Sequence, residues 1–128
     1  IVDDYAHHPT EIHATLEAAK SYPHKETWCV FQPHTYSRTK AFCHEFADAL
    51  SLADHIILAD IYAARETDTL GMSSGLLADE LNAKGCDVHY FPGFDEIETF
   101  ILENCKKDDL LITMGAGDVV NIGEDLLK

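Results

Sequence analysis

The chain predicts an α/β fold: a Rossmann-like, open and mainly parallel sheet with helices on both faces. Three observations carry this. Apolar runs without polar alternation recur at residues 28–31, 56–59 and 110–113, the pattern of strands covered on both sides. Between such runs lie segments with apolar residues at helical spacing, as at Ile12, Leu16 and Ala19. Short loops join the two kinds of segment, and this alternation forces parallel strands with right-handed crossovers.

In chain order, the first strand is expected at Ile1-Val2. Pro9 suits the first turn of a helix, where a missing N–H costs nothing, and that helix runs to about Ser21. Tyr22-Pro23-His24 is a loop. The second strand, 28–31, leads into one helix over about 36–51, marked by Phe42, Phe46, Ala49 and Leu50. The third strand, 56–59, is followed by a long polar segment, 60–73. Ser73 or Ser74 caps a short helix carrying Leu77 and Leu81 and closed by Gly85. The fourth strand is 88–91. Asp95 opens a helix with Ile97, Phe100 and Ile101. The fifth strand, 110–113, runs into Gly115-Ala116-Gly117-Asp118 and a last helix from about Val119. Nothing interior reads as a linker or a repeat, so residues 1–128 are taken as a single domain. The start inside a strand predicts a piece cut from a longer protein.

A net charge of −14 argues against a nucleic-acid backbone as partner. No apolar run is long enough to span a bilayer. Cys29, Cys43, Cys86 and Cys105 lack C-x-x-C spacing and sit in apolar patterns, which predicts reduced core thiols in a cytoplasmic protein.

Chemistry-bearing side chains gather just past strand ends, where open α/β sheets bind ligands. Asp3-Asp4-Tyr5-Ala6-His7-His8 offers carboxylates for a ribose diol or Mg²⁺ and imidazoles for phosphate or carboxylate oxygens. Alternatively one Asp caps the helix and the His pair is solvated. Adjacent histidines point apart, so no zinc set is expected. Phe31-Gln32-Pro33-His34-Thr35-Tyr36-Ser37-Arg38-Thr39 places His34 and Arg38 at a second strand end. Arg38 offers a forked donor to an anionic ligand, or pairs with Glu66 or Asp60. Asp60, Tyr62, Arg65 and Glu66 line the same cleft or pair among themselves. Gly115-Ala116-Gly117 permits either close approach of a phosphate or close strand–helix packing.

Taken together and in this order, Asp-Asp-Tyr-Ala-His-His-Pro-Thr-Glu-Ile, Phe-Gln-Pro-His-Thr-Tyr-Ser-Arg-Thr, Asp-Ile-Tyr-Ala-Ala-Arg-Glu and Gly-Ala-Gly-Asp strongly resemble the carboxyl-terminal domain of the Mur ligases. Within that family they look like the members that join L-alanine to UDP-N-acetylmuramate. The resemblance implies an ATP-dependent amide ligase of peptidoglycan precursor synthesis, working through an acyl phosphate. It implies three domains, with ATP and Mg²⁺ bound mainly by a central domain absent here. Its partners would be L-alanine, ATP and UDP-N-acetylmuramate, with no obligate protein partner. Carried over by position, Tyr5, His7, His34 and Arg38 would contact substrate, the last two engaging the alanine carboxylate. Asp4, with His8, would contact the nucleotide. No catalytic residue is assigned within the domain. Many relatives have arginine where this chain has Thr35, which leaves Arg38 the only arginine of the motif.

A phospho-receiver module is the main rival, with Asp3, Asp4 and Asp60 as its acids. Its fifth strand should end in lysine, whereas this one ends Thr113-Met114-Gly115. A His-rich metal-binding module is a third reading.

Overall fold

The computed structural model describes residues 2–126. Ile1, expected in the first strand, lies outside the described residues. The strands are β1 (Val2–Asp4), β2 (Thr27–Phe31), β3 (His55–Leu58), β4 (Asp87–Tyr90) and β5 (Leu110–Met114). They form one sheet in the order β1-β5-β2-β3-β4, and every pairing is parallel. The helices are α1 (Pro9–Ala19), α2 (Tyr36–Ala41), α3 (Cys43–Leu50), α4 (Ser74–Ala83), α5 (Phe94–Asn104) and α6 (Val120–Leu126). The α/β class is as expected. The strand order is not the 2-1-3-4-5 of receiver-type folds, which removes that rival on topology.

The central strands bury both faces, and side-chain alternation divides the core in two. Cys29, Phe31, Ile56, Leu58, Ile112 and Met114 pack with Ile12, Leu16, Phe46, Leu77 and Leu81 from α1, α3 and α4. Trp28, Val30, Ile57 and Leu111 pack on the other face with Ile97, Ile101 and Ile122 from α5 and α6. Each fully buried aliphatic or aromatic side chain contributes roughly 1.5–3 kcal/mol.

Two boundaries depart from expectation. Asp3 and Asp4 belong to β1, because they pair with Thr113 and Met114 of β5. The single helix expected over 36–51 is two, broken at Phe42 (φ −118°, ψ 20°). Tyr36, Thr39, Cys43 and Phe46 all face the core across the break, so the apolar spacing conceals it. Phe42 itself is 43 % exposed, contrary to its expected place on the core face. Among the cysteines only Cys29 is fully buried, while Cys43, Cys86 and Cys105 are half-buried, and all four are free thiols. Among the described residues no helix is long and apolar enough to cross a membrane.

Candidate functional site

Because β5 lies between β1 and β2, the turns after those two strands straddle the turn from β5 into α6. That turn is thin. Gly117 has no room for a side chain: a Cβ would lie 2.6 Å from Gln32 Oε1 and 2.8 Å from Cγ of Tyr62. Close packing therefore accounts for the Gly-Ala-Gly sequence. The buried Gln32 amide stitches the turn to β2. Its Nε2 donates to Asp118 Oδ1 (2.8 Å) and its Oε1 accepts from Val119 N (3.2 Å).

On one side stands the turn after β1. Asp4 Oδ1 accepts from Ala6 N (2.8 Å) and Oδ2 from Thr15 Oγ1 (2.9 Å), which ties the turn to α1. The α1 start is satisfied by Glu11, whose Oε1 accepts from His8 N (3.1 Å) and His7 N (3.3 Å). So Glu11, and not an aspartate, reaches back to the cap, as in a capping box. Those N–H groups and the nearby imidazoles hold the Glu11 carboxyl below its usual range, against an opposing effect of burial. His7 Nδ1 lies 3.0 Å from Tyr5 O. A carbonyl only accepts, so Nδ1 carries a proton. Tyr5 is 70 % exposed and meets His7 edge-on at 5.4 Å. His8 is exposed, its ring 4.9 Å from that of His7.

On the other side stands the turn after β2. The His34 ring lies 5.8 Å from His7 and stacks on Tyr62 (5.7 Å, 16° between planes). Tyr62 is held by backbone bonds to the same turn, Tyr62 N donating to Pro33 O and Thr35 N to Tyr62 O, both at 2.8 Å. His34 Nδ1 is buried and has no hydrogen-bond partner among the described residues. Burial, then the Arg38 guanidinium, then His7 push the His34 pKa down, with Glu66 opposing. The ring is therefore neutral near pH 7. Arg38 is half-buried in the first turn of α2. The two acids expected to neutralise it are engaged elsewhere. Glu66 accepts from the α2 amino terminus, and Asp60 accepts from the Tyr90 hydroxyl.

The structure thus brings Tyr5, His7, His34 and Arg38 to one rim, with His8 beside them and Asp4 turned toward α1. The sequence left Gln32 and Tyr62 without a role and offered Glu66 only as a partner for Arg38, whereas its carboxylate binds Tyr36 N and Ser37; the partners of all three lie far away in the chain. Among the described residues no group of three or more His, Cys, Asp or Glu side chains is placed to hold a metal ion. This leaves the His-rich metal-binding reading without a site there.

Comparison with known proteins identifies the family. The family described as "Mur ligase, glutamate ligase domain" matches residues 1–117. A protein of Agathobacter rectalis named UDP-N-acetylmuramate–L-alanine ligase is 66 % identical over all 128 residues, which make up 28 % of that protein. One of the same name from Lachnoclostridium phytofermentans is 64 % identical over the whole chain and 27 % of its own length. The crystal structure of UDP-N-acetylmuramate-alanine ligase from Thermotoga maritima superposes with a TM-score of 0.75 at 26 % identity, covering 96 % of this chain and 24 % of that one. The chain thus spans about a quarter of the length of these relatives, and across nearly its whole length it belongs to the Mur ligase family, as the glutamate ligase domain.

Proposed function

We propose that this chain is the amino-acid-holding, carboxyl-terminal domain of a three-domain UDP-N-acetylmuramate–L-alanine ligase. The observation that carries the reading is Arg38. It is a half-buried guanidinium with its candidate acids engaged elsewhere, set beside neutral His34 on the rim that also presents His7. Such a group suits the carboxylate of a bound amino acid, which accepts its forked N–H pairs.

In the reaction of this ligase class, ATP phosphorylates the lactyl carboxylate of UDP-N-acetylmuramate. The alanine amine attacks the resulting acyl phosphate, and phosphate leaves as the amide forms. The part of this domain is orientation: fixing the carboxylate at Arg38 and His34 aims the amine at the acyl carbon. His7 presents its imidazole to the bound amino acid and phosphates at the same rim, and Tyr5 covers its edge. Asp4 retains a lone pair on each oxygen for a ribose hydroxyl, with His8 alongside it for the nucleotide. When bound, Mg²⁺ neutralises phosphate charge, and we assign it and most ATP contacts to the part of the enzyme outside this chain. The same reading places the reaction in the cytoplasm, where UDP-sugar and ATP meet, and leaves the 128 residues alone without turnover.

Arg38→Ala in the full-length ligase tests this. Losing a charge-assisted contact of about 1.5–3 kcal/mol raises the KM for L-alanine by roughly ten- to a hundredfold, with the KM for UDP-N-acetylmuramate little changed. Equal effects on both substrates would remove the assignment.

A further inference from the structure

We infer that Glu66 is a positioning residue for the amino-acid site: from the segment after β3 its carboxylate clasps the turn that carries His34 and Arg38. The inference rests on the reading of that site given above.

The turn needs such a clasp. Thr35, between His34 and α2, has φ 65° and ψ 145°, a conformation left almost entirely to glycine and costing other residues about 1–3 kcal/mol. Nor does Thr35 cap α2 well, since its Oγ1 accepts from Arg38 N only at 3.3 Å. The first N–H groups of α2 therefore lack strong local partners. Glu66 supplies them. Its Oε1 accepts from Tyr36 N and from Ser37 N (3.1 Å), and its Oε2 accepts from Ser37 Oγ.

The clasp is itself shaped for the purpose. Glu66 N donates to Ala63 O (3.0 Å), closing a tight turn in which Ala64 takes φ 57°. Tyr62, directly before Ala63 in the same segment, grips the other end of the His34 turn through Pro33 O and Thr35 N. Two unfavourable backbone conformations, at Thr35 and Ala64, are thus held against each other by five hydrogen bonds across two loops. Ser37's hydroxyl leads the effects that hold the Glu66 carboxyl below its usual range, so the clasp is charged at neutral pH. Glu66 also acts on His34 through space, which places it beside the site without occupying it.

Glu66→Ala and Glu66→Gln in the full-length protein test this. In Glu66→Ala the KM for L-alanine rises at least tenfold, while those for ATP and UDP-N-acetylmuramate stay within twofold. Glu66→Gln keeps an oxygen that accepts from Tyr36 N and Ser37 N, and recovers to within about threefold of the parent. Amide exchange over residues 35–39 accelerates at least tenfold in Glu66→Ala and much less in Glu66→Gln. A merely structural role would lower stability and move all three KM values together, and that result overturns the inference, as does unchanged exchange. If the parent protein fails to ligate L-alanine, the functional reading falls and amide exchange alone decides the clasp. If Glu66→Ala does not fold, Ser37→Ala serves instead: a KM increase for L-alanine alone supports the inference, and none overturns it.

Discussion

The rings of His7 and His34 approach to 5.8 Å, although one follows β1, the other follows β2, and β5 runs between those strands. Their approach depends on a connection after β5 that takes up almost no space, and on Tyr62, whose ring stacks on His34 and also abuts Gly117.

Gly117→Ala should be costly for so small a change. Its Cβ would come within 2.8 Å of the Tyr62 ring, and overpacking of this kind costs about 1–3 kcal/mol. Calorimetry should show a melting temperature lower by several degrees, and NMR a displaced His34 ring signal. An unchanged His34 signal would mean that Gly117 does not set the position of Tyr62.

His34 should titrate below the ordinary histidine value. Burial is the largest cause and Arg38 the next, so Arg38→Gln should move the midpoint upward without restoring it fully. A depressed histidine pKa favours the fold above pH 6.5, and this contribution is lost as pH falls through the folded value. An NMR titration of the parent and Arg38→Gln reads both midpoints.

At the opposite edge of the sheet the sign reverses. His55 lies 2.6 Å from Asp87 Oδ2 and 3.2 Å from Glu26 Oε2, and its ring stacks on Trp28 at 4.1 Å. Burial is the largest single effect and lowers its pKa, but the two carboxylates together outweigh it and the net shift is upward. The stabilisation is therefore fully present below pH 6.5 and lost as pH rises through the folded value. His55→Gln should cost up to about 1 kcal/mol near pH ~6, the scale of partly exposed ion pairs, and little near pH ~9. Urea denaturation at the two pH values measures the difference.

Thiol reactivity should be graded. Burial, reinforced by the Asp4 carboxylate, pushes the Cys29 thiol up to about 12, and Cys43 is raised to about 11, again mainly by burial. Thiolate is the reactive form, so Cys29 should resist thiol reagents until denaturant is added. Labelling followed by mass spectrometry identifies the order.

The sheet, its carboxyl rim and the two histidine turns were legible because each rests on local signals: apolar runs, Pro9 at a helix start, polar clusters at strand ends. The break at Phe42 was not, since the core-facing positions on its two sides continue one helical spacing. The ends of β1 were not either, because Asp3 and Asp4 join the sheet only through pairing with β5. Gln32, Tyr62 and Glu66 are ordinary residues whose importance comes from partners far away in the chain. For Gly115-Ala116-Gly117 the sequence allowed phosphate approach or close packing, and the contacts at Gly117 supply the packing explanation.

The position of β5 has a consequence for biosynthesis. Among the described residues β1 pairs with β5 alone, and β2 has β5 as one of its two neighbours. While a nascent chain ends at β4, the strand that joins β1 to β2 is missing, and the packing of α1 on α3 is left to draw the two histidine turns together. The rim is complete only once the last strand lies between the first two. A chain stopped or clipped ahead of residue 110 loses the strand that sets these two turns in register with each other.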